Sequence, residues 1–199
     1  MPNWCTSIVT IKTSSEKSAD ILEEKFGKAM SSNPAKADFG NRWLGNLLLQ
    51  IGMPKDDVIH RTSLRCRGQI LYMLREDEKM ISLATETAWE PMIECIRKFV
   101  DTYVDDADIF YVAEESNMGI FWTNDPDVVG NVWVDYEDVS AETEELLASI
   151  QDEKEKDAAK AFEEYLGHSG KLEDLAEELA ENEDAFISVH TYEYVDATA

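Results

Sequence analysis

Three cysteines and three histidines are the residues of this chain best suited to nucleophilic or metal chemistry. A nucleophilic cysteine needs a nearby cation, a helix N-terminus or a histidine to lower its pKa. Cys5 follows Trp4 and precedes Thr6, so its sequence neighbours carry no charge. It reads as a buried structural thiol, as do Cys66 and Cys95. An odd number of widely spaced cysteines suits reduced thiols, and the spacing matches no zinc motif. His60, His168 and His190 are scattered. The stretch TNDPDVVGN places Asn124, Asp125, Asp127 and Gly130 in a loose echo of a calcium loop. It lacks the regular alternate oxygen ligands and the closing bidentate Glu. Glu114 and Glu115 resemble an acid/base pair, but consecutive strand residues point to opposite faces, so at most one serves a given pocket. A Gly-rich phosphate loop, a Ser-His-Asp set and HExxH are all missing. The residues therefore name no catalytic group, no metal ligand and no cofactor, and lean away from an enzyme.

Trp4, Trp89, Trp122 and Trp133 all fall in strands or at strand ends. Their commonest use is core packing. The alternative is a ligand or partner surface on the sheet side away from the helices, made by Trp4, Trp89, Glu114, Trp122 and Asp125. RNA-binding domains use such a face, with aromatic and basic residues together. Here residues 107–125 carry Glu114, Glu115 and Asp125 and almost no Lys or Arg, which argues against RNA.

These residues need elements to position them. WCTSIVTIK alternates as a strand, with Cys5, Ser7, Val9 and Ile11 on one face and Trp4, Thr6, Ile8 and Thr10 on the other. Ala19, Leu22, Phe26 and Ala29 predict a helix over about 15–30, capped by Ser14 or Ser15. Residues 31–63 read as an insertion, turn-rich at first, then carrying a short helix through Trp43, Leu44, Leu47, Leu48 and Ile51. GQILYMLRED and KMISLATETAW read as two strands with a turn near Glu76–Glu78. Pro91 precedes the stripe Met92, Ile96, Phe99, Val100 and Tyr103, predicting a helix over 91–104. DIFYVAEE and GIFWTND follow as strands. The order β-α-insert-β-β-α-β predicts an α+β fold: a ferredoxin-like split βαβ core with an antiparallel sheet, over residues 1–125. Residues 126–199 read as an acidic helical C-terminal extension ending in a final strand near 185–195. Narrow apolar stripes imply that the extension packs on the core and is not an independent domain. Apolar residues on both faces of the first strand imply that both sheet faces are covered, Trp4's by the C-terminal helices.

Three stretches resemble a known family. MPNWC followed by an alternating strand is similar to the start of the YubB-type ferredoxin-like family of uncharacterised bacterial, phage and plasmid proteins, through Pro2, Asn3, Trp4, Cys5, Val9 and Ile11. Ser7 stands where that family usually has Asn. TETAWEPM, residues 85–92, resembles the family's Thr-Ala-Trp and proline before the second core helix. AEESNMGIFWTND resembles its Ala-Glu-Glu, glycine and aromatic hairpin. A tryptophan-rich segment of many members is replaced here by SLRCRGQILYML. The resemblance implies the ferredoxin-like fold and no enzymatic activity.

Charge bounds the partners. Residues 1–100 carry 14 Lys and Arg against 13 Asp and Glu, while residues 101–199 carry 4 against 29. Direct binding to nucleic acid or to an anionic membrane surface requires cations and is disfavoured. No apolar run reaches the roughly 18–20 residues of a membrane span. With no apolar leader at the N-terminus, a cytoplasmic location is expected. The leading expectation is a non-enzymatic accessory or protein-interaction protein of mobile-element origin. A second is an acidic DNA mimic that occupies a basic DNA-binding protein through the C-terminal half. A third is an enzyme or small-ligand binder with a pocket near the sheet tryptophans.

Overall fold

A computed structural model describes residues 3–31, 39–61 and 66–196. The fold is mixed α and β, built on antiparallel strands. The chain divides into two compact units, one over residues 1–124 and one over Asp125–Val195.

In the first unit the elements are β1 (Trp4–Thr13), α1 (Glu16–Ser31), α2 (Gly45–Gln50), β2 (Gly68–Asp77), β3 (Met80–Ala88), α3 (Ile93–Tyr103), β4 (Ala107–Glu115) and β5 (Ile120–Thr123). A π-helical turn at Asp57–Arg61 follows α2. Of the insertion expected at 31–63, residues 32–38 and 62–63 lie outside the described residues, as does Pro2. The strands lie in the order β2-β3-β1-β4-β5, each antiparallel to its neighbour.

Alternation decides what is buried. Cys5, Val9 and Ile11 of β1 lie opposite Thr87, Leu83 and Ile81 of β3, and Val9 and Ile11 also oppose Tyr111 and Ile109 of β4. All eight are buried. The stripes Ala19, Leu22, Phe26 of α1 and Ile96, Phe99, Val100 of α3 complete this core. Phe26 and Phe99 meet with ring centroids 4.7 Å apart, within the range of favourable tilted aromatic pairs. Ser15 starts α1: its hydroxyl oxygen accepts the Ser18 amide at 3.2 Å.

The other sheet face differs from the sequence expectation. Trp4 is 49% exposed and Ile8 44%, so the two faces of β1 are not equally buried.

The second unit has its own elements: β6 (Val132–Glu137), α4 (Ala141–Ile150), α5 (Glu155–Leu166), α6 (Leu172–Glu183) and β7 (Phe186–Thr191). β6 and β7 pair antiparallel, with Val134 opposite Val189. Val132, Leu147, Ile150, Phe162, Leu175, Leu179 and Ile187 form a core within the unit. The first turns of α4, α5 and α6 carry Glu142 and Glu144, Glu155 and Asp157, and Glu173 and Asp174, where carboxylates suit the positive end of the helix dipole. Ser140 caps α4 by accepting the Thr143 amide at 3.2 Å. Glu183, the last residue of α6, accepts the Ser140 amide at 2.8 Å and the Ser140 and Thr143 hydroxyls at 2.9 and 2.7 Å. These donors, Thr143 first, hold its carboxyl below the ordinary value of 4.5.

A carboxylate whose folded pKa is depressed stabilises above its unfolded pKa and loses that contribution as pH falls through the folded value. The start of α4 should therefore lose hydrogen-exchange protection as pH is lowered below 4.5. Glu183→Gln should reduce that protection at neutral pH and flatten its acid dependence. Unchanged exchange at residues 140–145 in the variant would show that the carboxylate does not secure this end.

Candidate functional site

The side of the first unit's sheet away from Val9 and Ile11 carries the candidate site. Register sorts it into rows. Trp4 lies opposite Ala88. Thr6 lies between Glu86 and Glu114. Ile8 lies between Ala84 and Val112, with Tyr72 beyond Ala84. Thr10 lies between Ser82 and Phe110, with Leu74 beyond Ser82. Lys12 and Asp108 close the far end, where the Lys12 ammonium sits 4.8 Å from the Phe110 ring centroid.

The middle strand of this arrangement, β3, presents Ser82, Ala84 and Ala88, all small and all under 10% exposed. Its neighbours present large side chains: Tyr72 is 52% exposed and Leu74 51%, on the side opposite Trp4 and Ile8. Small buried residues flanked by tall exposed ones make a groove. From Ser82 to Ala88 it runs roughly 20 Å at about 3.3 Å per residue. A cavity of about 330 Å³ opens along it, lined by Thr6, Ile8, Leu71, Tyr72, Ala84, Val112 and Glu114.

Two backbone features shape the groove. A bulge between Ile70 and Tyr72 inserts Leu71 into β2, and past it Tyr72 lies opposite Ala84 on the groove face. Gly68 lets β2 approach β3 closely: a Cβ there would lie 2.4 Å from the Glu86 carbonyl oxygen and 2.7 Å from Thr87 Cα. The Glu86 carboxylate accepts the Gln69 side-chain amide at 3.1 Å.

The five residues singled out from sequence do not form one surface. Trp4 and Glu114 share the groove face. Trp89 stands just past β3, 42% exposed, at φ 78°, and its amide donates to the Asn3 carbonyl at 2.9 Å. A left-handed backbone costs a residue with a bulky side chain of order 1 kcal/mol. Trp122 lies opposite Ala113, hence on the helix-covered face, packed against the core. Asp125 begins the second unit and accepts the Asp127 amide at 3.0 Å in a turn. Asn124 is committed to structure: its side chain accepts from the Tyr111 amide and donates to the Ile109 carbonyl, both at 2.8 Å. Of the neighbouring glutamates, only Glu114 faces the groove. Glu115 is buried on the other side and accepts the Met118 amide at 2.6 Å. Sequence reasoning missed Tyr72, Leu74, Ala84 and Glu86. The signal was present in SLATETA, where Ser82, Ala84, Glu86 and Ala88 alternate with Leu83, Thr85 and Thr87.

Among the described residues the rows of this face carry no Cys or His. No cluster of three or more His, Cys, Asp or Glu among the described residues has metal-binding geometry. Cys5 is fully buried on the core face, and burial pushes its thiol up to about 11. His168 pairs with Glu178 at 2.9 Å and His190 with the Ser188 hydroxyl at 2.9 Å, both inside the second unit. No helix among the described residues is long and apolar enough to cross a membrane. The arrangement suits binding: an apolar trough with carboxylates from Glu86 and Glu114 at one end. No protein-family model, curated protein or solved structure matches the chain.

With its thiol pushed up to about 11 by burial, Cys5 is protonated at pH 8, and the thiolate is the reactive form. Iodoacetamide should therefore leave Cys5 unmodified in the folded protein and modify it on unfolding; rapid labelling of the folded chain would contradict its burial. Gly68→Ala forces β2 off β3 and should cost about 1–3 kcal/mol in denaturant unfolding. An unchanged midpoint would show that the close approach is not needed.

Proposed function

We propose that the chain is a non-enzymatic interaction protein that binds a cationic, apolar polypeptide segment in the groove over β3. The observation that carries this is the exposure of Trp4, Ile8, Tyr72 and Leu74 around a floor of small residues. Contiguous exposed apolar surface on a folded protein marks an interaction site. Charge selects the occupant. Glu86, Glu114 and Asp108 lie on this face, and its one lysine in the rows, Lys12, is engaged with Phe110. A partner with alternating apolar and Lys or Arg side chains would fill the trough and meet the carboxylates, which favours encounter and specificity. RNA is disfavoured by the same charges.

The reading includes a ferredoxin-like core. Its support is the order β2-β3-β1-β4, with α1 between β1 and β2 and α3 between β3 and β4 in the chain. It also includes kinship with the YubB-type family, a mobile-element origin and a cytoplasmic location, for which the three sequence stretches are the support.

The test uses the full chain and synthetic peptides alternating leucine with lysine, leucine with glutamate, or leucine with serine, titrated by fluorescence anisotropy. The lysine peptide should bind best. Ala84→Trp, which fills the groove floor, should raise its Kd at least about tenfold, a loss of about 1.4 kcal/mol. Binding that ignores Ala84→Trp and collapses with salt would place the contact on the acidic surface, as a DNA mimic requires, and would overturn the groove reading.

A further inference from the structure

We propose that Cys66 and Cys95 are an oxidisable dithiol that closes to an intramolecular disulfide under low-molecular-weight disulfides such as glutathione disulfide. Their sulfurs lie 3.8 Å apart, the Cys66 thiol directed at Cys95, although the residues are 29 positions apart in sequence. A disulfide bond is about 2.05 Å, so closing the pair needs the sulfurs to approach by less than about 2 Å. Both sit in positions the fold holds firmly. Cys95 lies in the first turns of α3, fully buried, and its thiol also reaches the Leu44 carbonyl at 3.5 Å. Cys66 stands two residues before β2; its carbonyl accepts the Trp43 indole N–H at 2.6 Å and the Gly68 amide at 3.1 Å. The next amide, of Arg67, donates to the Met92 sulfur at 3.0 Å, tying the same segment to the residue before α3. Neither thiol belongs to the groove, and the inference does not depend on the groove being occupied.

Exposure sets the order of events. Cys66 is 6% exposed and Cys95 wholly covered, so the oxidant reaches Cys66 first. The Cys66 thiolate attacks one sulfur of the oxidant, forming a mixed disulfide and releasing one thiolate of the reagent. Cys95 then gives up its proton, attacks the Cys66 sulfur and breaks the mixed disulfide. The second reagent thiolate leaves, and protons return to both reagent sulfurs. Two cysteine thiols and one reagent disulfide become one protein disulfide and two reagent thiols. Contact with the Cys66 thiol and burial hold the Cys95 thiol well above its ordinary value, which keeps Cys95 out of the first step and leaves it the resolving partner. Cys5 stays outside this chemistry, buried on the sheet with Ser7 at 3.9 Å from its sulfur.

The experiment treats the reduced full chain with glutathione disulfide, then unfolds it in N-ethylmaleimide and reads intact mass and peptide map. Oxidised protein should take up one maleimide, at Cys5, and yield a linked 66–95 peptide, with Tm raised by several degrees as expected for a cross-link closing a long loop. Dithiothreitol should restore three maleimide additions. Cys95→Ala should trap glutathione on Cys66, because nothing resolves the mixed disulfide. Three maleimide additions after oxidant, a link through Cys5, or no glutathione on Cys66 in Cys95→Ala would each overturn the proposal.

Discussion

Burial of Cys5, Val9, Ile11, Ile81 and Leu83 beneath α1 and α3 dictates what the rest of the first unit's sheet presents. Strand side chains alternate strictly, so these residues leave Trp4, Thr6, Ile8, Ser82, Ala84 and Glu86 facing the other way. A slip of one residue would drive Lys12 and Glu86 into the core and expose five apolar side chains. Each aliphatic side chain is worth roughly 1.5–3 kcal/mol on burial. That sum outweighs the cost of leaving Trp4 and Ile8 half exposed. The groove is thus a consequence of a register chosen elsewhere, and its walls stand where the core's pattern puts them.

Much of this was legible in the residues. The α1 stripe Ala19, Leu22, Phe26 and Ala29 is the buried stripe, and Ser15 is its cap. The β2–β3 hairpin and α3 fall where periodicity placed them. The groove was not legible, because Ala84 is a floor only when Ile8 and Tyr72 stand beside it. That adjacency comes from pairing between strands distant in sequence, and on one side from the bulge at Leu71. Trp122 was grouped with Trp4 because both are strand tryptophans; pairing with Ala113 turns it to the opposite face. The left-handed backbone of Trp89 leaves no mark on residue type at all, since that conformation favours Gly and Asn.

In the second unit the apolar stripes were legible and their target was not. Val132, Ile187 and Val189 supply strand residues against which Phe162, Leu175 and Leu179 pack. The tie between Glu183 and Ser140 joins helix ends more than forty residues apart, and one glutamate among so many gives no sign of it in sequence. Several of the carboxylates on these helices sit at helix N-termini, where the dipole favours them.

The central claim is that the first unit binds through the trough over β3. The most direct measurement is backbone amide chemical-shift mapping of the isotope-labelled full chain while the lysine–leucine peptide is added. The account predicts the largest shifts at Thr6, Ile8, Tyr72, Ala84, Glu86 and Val112. Shifts confined to α4, α5 and α6, with those six unmoved, would contradict it.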